Sequence, residues 1–467
     1  MPLSCSVRVF INVSLTESRR LAISSRRRAS LFSPVSRALS NSSLSEVSCR
    51  FACSLKRAST SSVSSSTPRP RRRLWPIARM LRMIATSARM SVSVSMPRSY
   101  PHRSAPMTCR RVLLYCRSHR SENPVFRPLN WGIAGTGRIS SLFADCITRT
   151  ESGTVGHVLS RTQEAAESFC ARQGGTPWSN QRDMLGVDGL DALYIGTPHS
   201  EHAELAVAAL SVGIPVLCEK PMTCSPAGTL AVVMCAHQNG TALIEGWMYR
   251  CHPQIERLVE LISNGAIGDL QSIESHFGFR ADVPPEHRLR SQKLGGGPIL
   301  DIGGYPMSIA MLVAGTVDGR THASPKSMQA VGVFDAETEV DADAGAVVTF
   351  DNGLEANLRC SLIEDLGTGL RCVGTDGEIR LPHPFIHEGR EDDRRATIEI
   401  ERFGRVETEH FEPSLDCFSL EARMMSELVA SGELEPAAPM VSHEGSVLIA
   451  GALESWRSCL EQARDQS

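Results

Sequence analysis

The sequence predicts a doubly wound parallel α/β domain followed by an α+β domain with a large, mostly antiparallel open sheet, behind a long disordered N-terminal extension. Three observations predict it. Residues 128–250 alternate short apolar runs with amphipathic stretches, the pattern of a parallel sheet with crossover helices. Residues 251–467 instead carry a series of alternating strands broken by turns such as Asp351-Asn352-Gly353 and Thr375-Asp376-Gly377. Residues 1–120 hold 28 serines and 23 Lys+Arg against 2 Asp+Glu, with no sustained hydrophobic period.

The formal charge of −2 over 467 residues therefore hides a division. The first 120 residues carry +21 and the remaining 26 Lys+Arg against 49 Asp+Glu leave −23. An acidic body is a poor nucleic-acid ligand, so no nucleic-acid partner is expected for it. No apolar run is read as approaching the ~18 residues of a membrane span. The fifteen cysteines show neither a Cys-x-x-Cys pair nor a Cys/His cluster at metal-ligand spacing, so no metal site or disulfide framework is expected. A cytoplasmic, reducing location fits them best. The basic extension reads as an upstream segment outside the working protein, with translation starting near Met107. A targeting segment and a basic binding arm are the alternatives.

In the first domain, 128–250, strands are expected near 130–134, 155–159, 192–196, 214–218 and 242–246, with helices near 138–149, 163–172, 201–212 and 225–238. Asn130 to Ala134 breaks into Gly135-Thr136-Gly137-Arg138-Ile139-Ser140, a glycine turn that opens a helix. Gly135 would allow the turn, and Gly137 would let backbone N–H groups approach a pyrophosphate at the helix N-terminus. Ser140 in the third glycine slot leaves the fingerprint incomplete. The second strand ends in Ser160-Arg161-Thr162, where a small hydroxyl followed by arginine favours the 2′-phosphate of NADP over the 2′-hydroxyl of NAD. Right-handed crossovers bring Thr197-Pro198-His199 and Glu219-Lys220-Pro221 to the same ligand edge, where Lys220 could hydrogen-bond a reacting oxygen.

These stretches, together with Met248-Tyr249-Arg250-Cys251-His252-Pro253, resemble the Gfo/Idh/MocA oxidoreductase family in order and spacing. The resemblance implies a dinucleotide-binding Rossmann domain that uses Gly135, Thr136, Gly137, Arg138, Ile139, Ser160, Arg161, Thr197, Pro198, His202, Glu219 and Lys220. It also implies that Lys220 is catalytic, that the Lys220–Pro221 bond is cis, and that the second sheet joins subunits in a homodimer or larger homo-oligomer. His199 stands where the family often has asparagine. His202 is open between a cofactor contact and a residue packed beneath its loop.

The second domain, 251–467, opens with a helix near 253–264 and a strand from Leu270 to Arg280. Further strands are expected near 328–335, 344–351, 353–362, 369–374, 377–381, 396–402 and 405–411, and helices near 303–314, 416–431 and 443–463. Gly295-Gly296-Gly297-Pro298-Ile299-Leu300-Asp301-Ile302-Gly303-Gly304-Tyr305 should bring the chemistry. If Asp301 begins a helix, Tyr305 shares its face. Tyrosine in place of the family's frequent histidine resembles the branch of dimeric dihydrodiol dehydrogenase, sugar dehydrogenases and glucose-fructose oxidoreductase. Hydride transfer at a carbinol carbon needs a base for the hydroxyl proton, so Tyr305 is expected to be that acid/base, with Lys220 lowering its pKa and Asp301 orienting Lys220 or substrate. Arg280, Arg288 and Arg290 are read as surface arginines first and substrate contacts second, and Arg250 and His252 as open between substrate-side and structural roles. The expected function is hydride transfer between NADP, or NAD, and a sugar, polyol or cyclic diol. NAD-dependent glycoside cleavage and non-catalytic dinucleotide binding are the alternatives.

Overall fold

The computed structural model describes residues 9–11, 92–94, 127–149, 153–385, 396–412 and 415–466. Val9–Ile11 and Val92–Val94 pair antiparallel within a unit of their own, Met1–Arg103. The rest of the extension, and with it the expectation of disorder there, lies outside the described residues.

In the body, β1 (Leu129–Ala134), β2 (Gly153–Leu159), β3 (Thr176–Trp178), β4 (Ala192–Ile195), β5 (Val216–Glu219) and β6 (Leu243–Gly246) form one sheet. All its pairs are parallel and its order is β3-β2-β1-β4-β5-β6. Between the strands run α1 (Arg138–Arg149), α2 (Gln163–Gln173), α3 (Gln181–Leu185), α4 (His199–Ser211) and α5 (Pro226–Asn239). Strands β4, β5 and β6 are buried along their whole length, which is why they read as continuous apolar runs. The order reverses between β1 and β4, so the crevice for a ligand opens at their carboxyl ends. Two elements escape the sequence pattern. β3 has only three residues, and its Pro177 is tolerated because the strand lies at the sheet edge. α3 has five, started by the Asn180 side chain accepting from the Arg182 and Asp183 amides.

After a short 3-10 turn (Met248–Cys251) come α6 (Pro253–Ser263), β7 (Leu270–Gly278) and α7 (Gly304–Val317). There follow β8 (Pro325–Phe334), β9 (Asp341–Phe350), β10 (Glu355–Ser361), β11 (Gly367–Gly374), β12 (Gly377–Leu381), β13 (Ala396–Arg402) and β14 (Arg405–Phe411). The eight-stranded sheet runs β8-β9-β10-β7-β11-β12-β13-β14, with only the β10–β7 pair parallel. Helix α7 packs on β7 and β10 and is apolar on every side, as an enclosed helix must be. Gln292–Val317 is in fact long and apolar enough, by length and composition alone, to cross a membrane, correcting the expectation that no run approaches that length. Its window is wholly buried, which marks it as the core segment of this sheet.

The last helices, α8 (Cys417–Ser431) and α9 (His443–Asp465), return to the first sheet. α8 packs on α1 and α9 packs on α5. The Leu243 amide at the start of β6 donates to the Leu434 carbonyl at 2.9 Å, and the buried His443 ring faces the Leu243 carbonyl at 3.0 Å. The boundary at 250/251 thus divides the two sheets but not the packing around them. On its face away from α7, the large sheet carries charges linked as Glu274–Arg371–Glu378–Arg380–Glu401. On the edge strand β8, separated from this ladder by two strands, Val331 and Val333 are 71% and 55% exposed.

Candidate active site

The crevice begins at the glycine turn. Gly135 has φ +101°, and a Cβ there would lie 2.8 Å from the Gly196 carbonyl oxygen, so only glycine lets β1 and β4 end side by side. Around Gly137, by contrast, a Cβ would meet nothing within 4 Å. That open space lies beside the first turn of α1, whose orphan N–H groups and positive dipole end suit a diphosphate. Arg138 is exposed at this helix start and Ile139 packs against the core. Thr136 and Ser160 touch through their hydroxyls at 3.4 Å, with Arg161 exposed next to them. At the end of β4 the Thr197 hydroxyl is buried with no hydrogen-bond partner. An orphaned hydroxyl, an open glycine cradle and hydroxyls without an acid at the end of β2 are the donor set a phosphorylated dinucleotide requires.

Two expected cofactor contacts are corrected by their surroundings. The His202 ring is buried with one nitrogen 3.0 Å from the Pro221 carbonyl and the other 2.9 Å from the Thr197 carbonyl. It staples the two strand-end loops together from beneath and is not itself open to a ligand. The Glu219 carboxyl is likewise turned inward, accepting from the Tyr194 hydroxyl at 2.8 Å. Pro198 precedes α4, and the Lys220–Pro221 bond is cis.

Lys220 leaves β5 to meet the other domain. Its Nζ donates to the main-chain carbonyl of Asp301 at 2.8 Å and sits 4.9 Å above the centre of the Tyr305 ring. The segment Ile299–Gly303 is a widened π turn running directly into α7. Pro306, in the first turn of α7, carries no amide hydrogen, so this stretch of carbonyls has one backbone donor fewer than a regular helix. The Asp301 carboxylate is buried and accepts from Arg288 Nη1 at 2.6 Å, with His199 Nε2 at 3.8 Å. Burial alone would raise its pKa. The charges of Lys220 and Arg288, together with His199, outweigh that and hold it at about 2. His199 itself is pushed down to about 3, chiefly by burial, with Asp301 opposing, and is therefore a neutral ring whose Nδ1 faces the Gly295 carbonyl at 3.3 Å.

Tyr305 is enclosed by other rings. Its ring lies among Trp247, Tyr249, Phe277 and Phe385 at centroid distances of 5.3 to 5.7 Å, and its hydroxyl points at the Met248 sulfur at 3.9 Å. Burial, reinforced by the nearby carboxylates Glu219 and Asp301, raises its pKa well above 10. The ammonium lies over its face and not at its oxygen, so Lys220 does not create a phenolate here. Arg288, read first as a surface residue, belongs to the site. Arg290 pairs instead with Asp335 and Glu337. Arg250 is buried and donates to the Ser308 and Pro439 carbonyls, while the His252 side chain caps α6, so both are structural. The involvement of His199 and Arg288 was hidden because both reach Asp301 only through tertiary packing. The one local signal was the position of His199, four residues past the end of β4 and directly after its ligand-edge turn.

Comparison with known proteins agrees with this geometry. Residues 129–247 match the model of an oxidoreductase family with an NAD-binding Rossmann fold, and residues 255–380 match the Gfo/Idh/MocA C-terminal domain. The chain belongs to the Gfo/Idh/MocA oxidoreductase family. It is 31% identical over 327 residues to D-xylose 1-dehydrogenase (NADP(+)) 2 of Haloferax volcanii, spanning 70% of this chain and 95% of that one. Over 261 residues it is 29% identical to trans-1,2-dihydrobenzene-1,2-diol dehydrogenase of Bos taurus, covering 55% and 75%. Among solved structures, a 3-ketoreductase from Actinomadura kijaniata in complex with NADP and TDP-benzene superposes with a TM-score of 0.63 at 26% identity, covering 71% of this chain and 98% of that one. As a family member the chain is an NAD(P)-dependent oxidoreductase with a Rossmann domain and an antiparallel-sheet domain.

Proposed function

We propose that the protein is an NADP-dependent dehydrogenase that interconverts a carbinol and a carbonyl on a sugar, polyol or cyclic diol. The observation that carries this reading is Lys220 Nζ held 2.8 Å from the Asp301 carbonyl, at the carboxyl edge of the nucleotide sheet. NADP suits the exposed Arg161 beside the Thr136 and Ser160 hydroxyls, and two of the relatives above carry NADP in their names or titles. When bound, the nicotinamide supplies the hydride acceptor or donor. Gly135, Thr136, Gly137, Arg138, Ser160, Arg161 and Thr197 are the residues available to hold the dinucleotide.

The remaining chemistry falls to this chain's own side chains. One Lys220 N–H is committed to Asp301, and the others are free to hydrogen-bond the reacting oxygen and exchange its proton. Asp301, fixed as a carboxylate by Arg288, serves to hold positive charge at the site and not to donate a proton. The Tyr305 face supports the ammonium from below, a cation–π contact in place of the phenolate role. Arg288 is 46% exposed in its side chain, so its unused N–H groups can meet substrate oxygens.

The test is a panel of aldoses, polyols and a trans-dihydrobenzenediol, each offered with NADP and with NAD, following reduced nicotinamide by absorbance. Sustained NADPH formation, faster than with NAD, is expected. No turnover on any member, or glycoside cleavage without net reduction, overturns the reading. The exposed Val331 and Val333 at the β8 edge of the open sheet further suit pairing with a second copy, and light scattering that returned only monomer mass would reject a homodimer. A cytoplasmic location is proposed because the fifteen cysteines show no disulfide spacing.

A further inference from the structure

The segment that carries Asp301 and Tyr305 is tied at its start to a residue far away in sequence. Asp341, the first residue of β9, is buried, and its Oδ2 accepts the Ile299 amide at 2.7 Å. Ile299 opens the continuous run of π turn and α7, so this amide is one of the orphan donors of a buried helix start. The third glycine of Gly295-Gly296-Gly297 makes room for the contact. With φ +99°, a Cβ on Gly297 would fall 2.2 Å from Asp341 Oδ1. Two residues onward, Asp301 N–H closes back onto the Gly297 carbonyl at 3.2 Å. The carboxylate thus fixes the first turn from which Asp301 projects towards Lys220, Arg288 and His199.

We propose that Asp341 is a positioning residue for Asp301: through the Ile299 amide, its carboxylate sets the start of the helical segment that delivers Asp301 to Lys220. The charged and titratable groups around it are few. Among the described residues they are Arg457 and Glu461 from α9 and Cys360 on β10. Burial, only partly offset by the Ile299 amide and Arg457, raises Asp341 to about 6. The sign of the consequence is definite. An acid whose folded pKa lies above its unfolded one favours folding when protonated and loses that contribution as pH rises through the folded value. The charge at position 341 therefore costs stability near neutrality, and a residue kept only for the fold would serve better uncharged.

The experiment compares the full-length protein with Asp341→Asn, which keeps shape and acceptor but not charge. The functional arm rests on the dehydrogenase reading above and uses NADP with whichever panel substrate turns over. Expected results are a kcat lowered about tenfold with an unchanged Kd for NADPH, and loss of the acidic limb of the kcat profile centred near pH 6. Above that pH, the variant melts at the same temperature as the parent or higher, and the difference closes below it. Two arms need no substrate. Trp247 and Trp456 lie against Gly304 and Gly303, so the tryptophan emission of the parent should titrate with the same midpoint while the variant stays flat. A variant with the parent's kcat and pH profile, or one that melts lower at every pH with superimposable fluorescence titrations, overturns the proposal. If no panel substrate turns over, the melting and fluorescence arms still decide it.

Discussion

Two glycine-rich turns organise this molecule, and they do opposite work. At 135–137 the turn leaves space for a ligand: Gly135 is pressed against the Gly196 carbonyl, but Gly137 faces nothing, at the end of one strand and the start of one helix. At 295–297 the glycines are crowded. Their missing side chains would strike Cys224, the Arg288 and Leu289 carbonyls and the Asp341 carboxylate. The first turn is a receptacle built locally, and the second a junction where three distant parts of the chain are pressed together. Binding of dinucleotide should therefore respond to single changes near 135–161 and at Thr197, whereas chemistry should respond to residues scattered from 199 to 341.

Lys220→Ala tests the sharpest form of this contrast. Turnover should fall by about a thousandfold, since the group that exchanges the proton is lost, while NADPH still binds, as quenching of protein fluorescence can show. Next comes Asp301→Asn, expected to lower kcat about a hundredfold. Its carboxylate also has a stability signature. The folded pKa of about 2 lies below the unfolded value of 3.8, so its contribution is present above that value and is lost as pH falls through about 2; the acid-unfolding curves of parent and variant should converge there. On the binding side, Arg161→Ala should cut the preference for NADP over NAD about tenfold and leave kcat with saturating cofactor unchanged, measured as the ratio of kcat/KM values. The smallest effect is assigned to Tyr305→Phe. If the ring face and not the phenol serves Lys220, activity should stay within about threefold of the parent, with the pH profile unmoved. A hundredfold loss there would restore the acid/base role expected from the sequence and break the comparison at its catalytic end.

The same contrast explains what could be read in advance. The nucleotide edge was legible because period, turn chemistry and strand order act over neighbouring residues. The strands ending at Ala134, Ile195 and Glu219 and the motifs following them were all placed from sequence. In the second domain the strands were found by alternation, but the site was only half visible. That Asp301 and Lys220 meet was foreseeable from their motifs; that they meet through a main-chain carbonyl was not, because a π turn running into Pro306 leaves no mark in hydrophobic periodicity. Arg288 and Arg290 look alike in sequence, and only packing sends one to Asp301 and the other to Asp335. Tyr305 takes its expected acid/base role from its neighbours in the motif, whereas Trp247, Phe277 and Phe385, which surround its ring, come from three other parts of the chain.

The return of α8 and α9 to the first sheet bears on how the chain is made. A ribosome releases the six strands of the nucleotide sheet long before His443, which faces the Leu243 carbonyl from 200 positions later. Until that late segment emerges, α1 and α5 present uncovered apolar flanks, and β6 waits for its neighbour from Leu434. The cofactor half of the protein is thus synthesised first and finished last, and a ribosome that stalls before the final helices leaves an unfinished half with nothing to complete it.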